Sequence, residues 1–217
     1  MSLIFSQIKT ERGGAIELLA PGGDVNVGLA TLPAGLRKES SELGVMTLKG
    51  GEILAMTLGD FQVNQSRVLS LAGGDIMIWS SEGNIDAGRG KKTSVVIPPP
   101  IVRVDKDGRF FVEYPGAASG SGIGALKTDP LAADSNVELF APKGTVNAGD
   151  AGIRSSGRVT IAAQRVIGAD NIAAAGGPVV GVKVESSAAA PTLAATSTSA
   201  DAARHPNQAA QAAEQRR

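Results

Sequence analysis

Three stretches far apart in the chain carry the same chemistry at the same places. Ile16–Gly28 reads IELLAPGGDVNVG, Ile76–Gly88 reads IMIWSSEGNIDAG and Val137–Gly149 reads VELFAPKGTVNAG. In each thirteen-residue copy, positions one, three, four, ten and twelve are apolar and positions eight and thirteen are Gly. Position eleven is Asn26, Asp86 or Asn147. Within the first four residues, and again within the last four, apolar side chains recur every second residue. That is the period of a strand, not of a helix. The Gly between the two runs is where a chain turns from one strand into the next. A unit of strand, corner, strand and corner that returns along the chain predicts a stacked architecture rather than a closed globule.

Units of this kind start at Ile16, Ile53, Ile76, Val137, Val159 and Val179, and three of the five intervals span 20 to 23 residues. That is roughly one turn of a parallel β-helix with three short strands. The two longer intervals read as the same turn with insertions. The fold expected is therefore all-β: a parallel β-helix of about six turns. Residues 1–13 are a lead-in, 14–185 form the coil, insertions lie at about 29–43 and 89–134, and 186–217 are a disordered tail. The tail is rich in Ala, Ser, Thr, Pro and Gln and has too few large apolar side chains to offset the entropy of ordering.

In such a coil, equivalent residues lie about 4.8 Å above one another. Ile16, Ile53, Ile76, Val137 and Val159 would form one inward column, and Leu18, Ile78, Leu139 and Ile161 the next. Burying each side chain stabilises by about 1.5–3 kcal/mol. Asn26, Asp86 and Asn147 would form a ladder beside a corner, with Asp86 accepting from its neighbours.

The second insertion opens with Arg89, Lys91 and Lys92 and passes through Pro98-Pro99-Pro100, which cannot donate to a ladder. Ile101–Val104 and Phe110–Tyr114 then flank Asp105-Lys106-Asp107-Gly108, a β-hairpin signal. This hairpin, which holds Phe110, Phe111 and Tyr114 among the chain's seven aromatics, is expected to project from the stack or fold over its side. The rest, up to Asp134, is Gly-, Ser- and Ala-rich and is expected to return as loop.

GGDIMIWSSEGNIDAGRGKKT, the three prolines, the hairpin and YPGAASGSGIGAL resemble the C-terminal conserved region of filamentous-haemagglutinin family exoproteins. These are large Gram-negative surface adhesins exported by two-partner secretion. The resemblance covers about Gly14 to Asn171. It implies a right-handed parallel β-helix at the cell surface, with an outer-membrane two-partner-secretion transporter and a host-cell or surface receptor or glycan as partners. It carries no catalytic residues.

The residues agree in offering little chemistry. There are no cysteines, which excludes disulfides, Cys-ligated zinc and a thiol nucleophile. Formal net charge is zero, so nothing argues for nucleic acid held by charge. No apolar run approaches the ~18 residues of a membrane-spanning helix. The opening MSLIFSQIKTERGG has no basic residue before its short apolar run and does not read as a signal peptide. The single histidine, His205, lies in the expected tail, away from any positioned partner. Asp105–Gly108 lacks the later acidic ligands of a calcium loop, and Gly120–Gly124 lacks the strand–helix context of a nucleotide-binding turn. Asp24, Asp60 and Asp86 read as corner and ladder residues in preference to a cation site. No catalytic, cofactor or metal residue is assigned.

Arg89, Lys91, Lys92, Trp79, Phe110, Phe111 and Tyr114 are the candidates for surface contact. Trp79 shares its repeat position with Leu19 and Phe140 and is expected to pack at a turn, with an exposed sugar-stacking role as the alternative. The function expected is a non-enzymatic structural or adhesive segment. The competing readings are a carbohydrate-active β-helix enzyme such as a polysaccharide lyase, and an inert remnant of a broken gene.

Overall fold

The computed structural model describes residues 1–31, 42–96, 101–104, 106–113 and 117–181, all within the unit Met1–Lys183. The expected tail and the segment Val184–Arg217 fall outside the described residues, as do the three prolines, Tyr114 and most of the first insertion. The described chain is mostly strands and corners, with a short 3-10 turn at Ala169–Asn171.

The strands stack in parallel on three faces. The first face holds β2 (Ile16–Ala20), β5 (Ile53–Thr57), β8 (Ile76–Ser80), the first part of β15 (Val137–Asn147), the first part of β17 (Val159–Ile167) and β19 (Val179–Val180). Each pairs in parallel with the next. The second face holds β3 (Val25–Asn26), β6 (Phe61–Gln62), β9 (Ile85–Asp86) and the later parts of β15 and β17. The third holds β1 (Gln7–Thr10), β4 (Gly44–Thr47), β7 (Arg67–Leu71), β14 (Gly122–Leu126), β16 (Ile153–Ser155) and β18 (Ile172–Ala174). The chain visits the faces in fixed rotation. This is a parallel β-helix.

Register follows the repeat. Ile16, Ile53, Ile76, Val137 and Val159 are Cα partners in succession, and so are Leu18, Ala55, Ile78, Leu139 and Ile161. All of these point inward and are buried in one continuous apolar core. No single coil encloses an apolar interior, so each coil is stabilised by the coils above and below it. Alternation explains the rest: Glu17, Leu19, Met56, Met77 and Trp79 take the outward positions between them.

Three parts of the chain depart from the sequence reading. Residues 1–13 are not a separate lead-in: β1 pairs with β4, and Ser2 bridges to Asn26. The stretch 89–134 is not one insertion. It contains β14, a fully buried strand in register with β7 below and β16 above. Its glycines conceal it in the sequence, but they suit the space: a Cβ on Gly124 would press on Leu69 and Leu126 side-chain carbons at 3.1–3.4 Å. Finally, β15 runs through eleven residues without a sharp corner. The change of face is absorbed as a register shift between Ala141 and Thr145.

Candidate functional site

The corners are held by side-chain ladders. Asn26 Oδ1 accepts from Gly28 N at 3.1 Å, Asp86 Oδ1 from Gly88 N at 2.7 Å and Asn147 Oδ1 from Gly149 N at 3.0 Å. Each side chain thus caps the turn two residues on. Between coils, Asn147 Nδ2 donates to Asp86 Oδ2 at 3.1 Å, and Asn64 Nδ2 donates to Asn26 Oδ1 at 2.9 Å. Asp86 is therefore satisfied by donors on both oxygens. Gln62 occupies the ladder register in the second coil. Asn64 instead takes the following corner with φ 57°, in line with Gly88 at φ 96° and Gly149 at φ 55°. A side chain on Gly88 would collide with the carbonyl of Asn64, and one on Gly149 with that of Gly88.

A second ladder runs through Asp24 and Asp60, which the sequence marks as corner and ladder residues, and adds Asn84, which it did not single out. Asp24 Oδ1 accepts from Asp60 N at 2.8 Å, Asp60 Oδ1 from Asn84 N at 2.7 Å and Asn84 Oδ1 from Thr145 N at 2.9 Å. Its signal was present at position nine of the repeat, which carries Asp24, Asn84 and Thr145. A third runs from Asp75 through Asn136 to Arg158 N. The acidic side chains Asp24 and Asp60 thus accept from backbone donors of the next coil. Among the described residues, no three His, Cys, Asp or Glu side chains are grouped to hold a metal ion. A cleft of about 250 Å³ lies along the second face, lined by Asp60, Gln62, Asn84, Asp86, Thr145 and Asn147, so its walls are largely ladder groups.

The insertion does two different things. Its base is an antiparallel pair, β10 (Ser94–Val96) with β13 (Ala117–Ser119), which folds over the third face. Ala118 packs on an outward apolar cluster of Met46, Leu69, Leu71 and Leu126. Arg67, itself buried, reaches from β7 to donate to the Ala118 carbonyl at 2.8 Å. Burial lowers the pKa of this guanidinium from its ordinary value. Thr93 Oγ1 donates to the Ser121 carbonyl at 2.6 Å and closes the neck. Coverage on both sides explains why β4, β7 and β14 are buried along their whole length rather than at alternate residues.

The outer part is the hairpin β11 (Ile101–Val104) with β12 (Phe110–Glu113), antiparallel, with Val104 opposite Phe110. It stands in solvent. Phe110 is 78% exposed, Val102 64% and Val104 56%. Phe111 pairs with Arg103 through the ladder, but its side chain, like Tyr114, lies outside the described residues. Arg89, Lys91 and Lys92 are exposed at the neck, where Arg89 N donates to the Asn64 carbonyl.

The first face has no such cover among the described residues. Leu19, Met56, Trp79 and Phe140 are register partners and all point outward. Leu19 is 60% exposed and Met56 41%. Trp79 and Phe140 are half-buried by one another, ring centroids 5.5 Å apart, and Trp79 Nε1 donates to Ser81 Oγ at 3.1 Å. Trp79 is thus outside the core and packs on the outer surface of the sheet.

The arrangement defines a class: a parallel β-helix whose corner Asn and Asp side chains form ladders between coils and whose first face and hairpin expose apolar side chains. Residues 73–184, more than half of the 217, match the family described as filamentous haemagglutinin family outer membrane protein. The chain belongs to that family. No curated protein and no solved structure matches it. Among the described residues, no helix is long and apolar enough to cross a membrane.

Proposed function

We propose that this chain is a non-enzymatic structural and adhesive segment of a surface exoprotein. The stack holds the insertion rigidly, and the hairpin makes contact with a cell or surface. The observation that carries this reading is the hairpin itself. Phe110, Val102 and Val104 face water on an element that contributes nothing to the main core. Apolar patches held out in this way mark interaction sites. Family membership supports a place at the outer membrane, and the reading extends to export through an outer-membrane transporter and to a receptor or glycan on the opposing surface.

The test is adherence of the purified chain to cultured cells, compared with Phe110→Ser combined with Val102→Ser. Truncating a central apolar anchor costs at least about 2 kcal/mol of binding, so adherence falls by more than about tenfold. Equal adherence of the variant would remove the hairpin from the function.

A further inference from the structure

Two apolar surfaces of this chain lie uncovered among the described residues, and they match in kind. The first is the outer side of the first face. Strands β2, β5, β8 and the first part of β15 offer eight outward positions. Six are apolar: Leu19, Leu54, Met56, Met77, Trp79 and Phe140. They stand in two adjoining columns, Leu54 with Met77, and Leu19 through Met56 and Trp79 to Phe140. The other two positions are Glu17 and Glu138, so no Lys or Arg lies among the eight.

The second surface is one side of the hairpin. Val102 lies opposite Val112, and Val104 opposite Phe110. Opposed residues share a side of an antiparallel pair, and every second pair shares the same side. The four therefore form a single apolar side, and all four are exposed. Arg103 belongs to the other side. A two-stranded hairpin with no layer against it is marginal in water.

The molecule itself shows what covers such a sheet. On the third face, the outward cluster of Met46, Leu69, Leu71 and Leu126 lies under the antiparallel ribbon of β10 and β13. The hairpin is a second ribbon of the same insertion, with larger apolar side chains. Charge agrees with the match. From Arg89 to Glu113 the insertion carries six Lys or Arg against three Asp or Glu, while both outward charges of the sheet are carboxylates. Within one chain the two surfaces do not meet, since Leu19, Met56, Val102 and Phe110 are all exposed in the same structure.

We propose that the hairpin of one copy of this chain docks on the first face of a second copy. Val102, Val104, Phe110 and Val112 then lie over Met56 and the Trp79–Phe140 pair, as β10 and β13 lie over the third face. The contact is heterologous, because it joins two different surfaces. It uses the hairpin to which adherence is given above, but the first face takes no part in adherence, so the two readings fail separately.

Trp79 is the chain's single tryptophan and sits in the receiving surface, so its emission reports the contact. Sedimentation velocity on the full chain should show mass rising with concentration. Trp79 emission should move to shorter wavelength over the same range. Phe110→Ser with Val102→Ser removes the hairpin half of the contact, and Leu19→Ser with Met56→Ser removes the sheet half. Each double variant alone, with its far-UV circular dichroism unchanged, should stay monomeric. Mixed together, the two should form a one-to-one pair through their intact halves, a result no symmetric contact gives. Adherence should be lost with the hairpin variant and kept by the first-face variant, which separates a failure of this contact from a failure of the adhesive reading. A wild type monomeric at every concentration would overturn the contact, and so would a mixture that stays monomeric. Association that survives in the hairpin variant would be face against face, and in the first-face variant hairpin against hairpin. Either result would overturn the proposal, as would rising mass with unmoved Trp79 emission. If a serine variant loses its strand spectrum, Glu17→Lys with Glu138→Lys, which sets like charges against the insertion, should weaken association at least about fivefold. Unchanged association would count against the contact.

Discussion

The first and third faces of this β-helix have the same inward chemistry and opposite outward fates. Inside, both present a column of Ile and Val whose interior members, Val45 to Ile153 on the third face and Ile53 to Val159 on the first, are at most 1% exposed. Outside, the third face is roofed by β10 and β13, so that Leu69 is fully buried. The first face leaves Leu19 and Met56 to solvent. The difference is not one of side-chain type, since Met46 on the third face and Met56 on the first are both outward methionines. What differs is that one sheet carries a second layer delivered by the insertion. In a solenoid the inner surface makes the fold, and the outer surface is available for additions.

The sharpest way to break that contrast is to cut the same kind of side chain on both faces of one coil. Leu69→Ala should cost about 3 kcal/mol in urea unfolding, because it opens a cavity beneath the roof. Met56→Ala should change stability by no more than about 0.5 kcal/mol. Equal losses would mean that the first face is covered as well. Next, Arg67→Met removes the charged donor that ties Ala118 to the stack. It should cost about 1.5–3 kcal/mol and speed proteolysis of the insertion more than of the coil. Asn147→Ala, which deletes a corner cap and its bond to Asp86, should cost about 1 kcal/mol in the same denaturation experiment. Smallest of all, Phe110→Ser should leave the unfolding midpoint within the shift expected of about 0.5 kcal/mol, since the hairpin stands clear of the core.

The inward columns were legible because alternation in a strand has a fixed period, and Ile16, Ile76 and Val137 sit at the same place in three copies. The ladder of Asn26, Asp86 and Asn147 was legible for the same reason. Strand β14 was not, because Gly122-Ile123-Gly124-Ala125-Leu126 has the composition of a loop. Its glycines answer to Leu69 and to the coil above, which are distant in sequence. Arg67 was missed because an arginine between apolar residues carries no mark of what it will reach. The outward position of Trp79 was within reach, since it alternates with Ile76 and Ile78. Its place beside Phe140 followed from reading the sixty-one-residue step from Ile76 to Val137 as one turn with an insertion.

The account rests on layers in register, and one distance examines it directly. Glu17, Leu54, Met77, Glu138 and Thr160 are successive partners on the outer side of the first face. Spin labels on cysteines placed at Glu17 and Thr160, in a chain with no native cysteine, should be four layers apart. Electron–electron dipolar spectroscopy should then give a single narrow distribution near 20 Å, about four times 4.8 Å, broadened only by the label arms. A broad distribution, or a mean beyond about 40 Å, twice the four-layer distance, would contradict the stack.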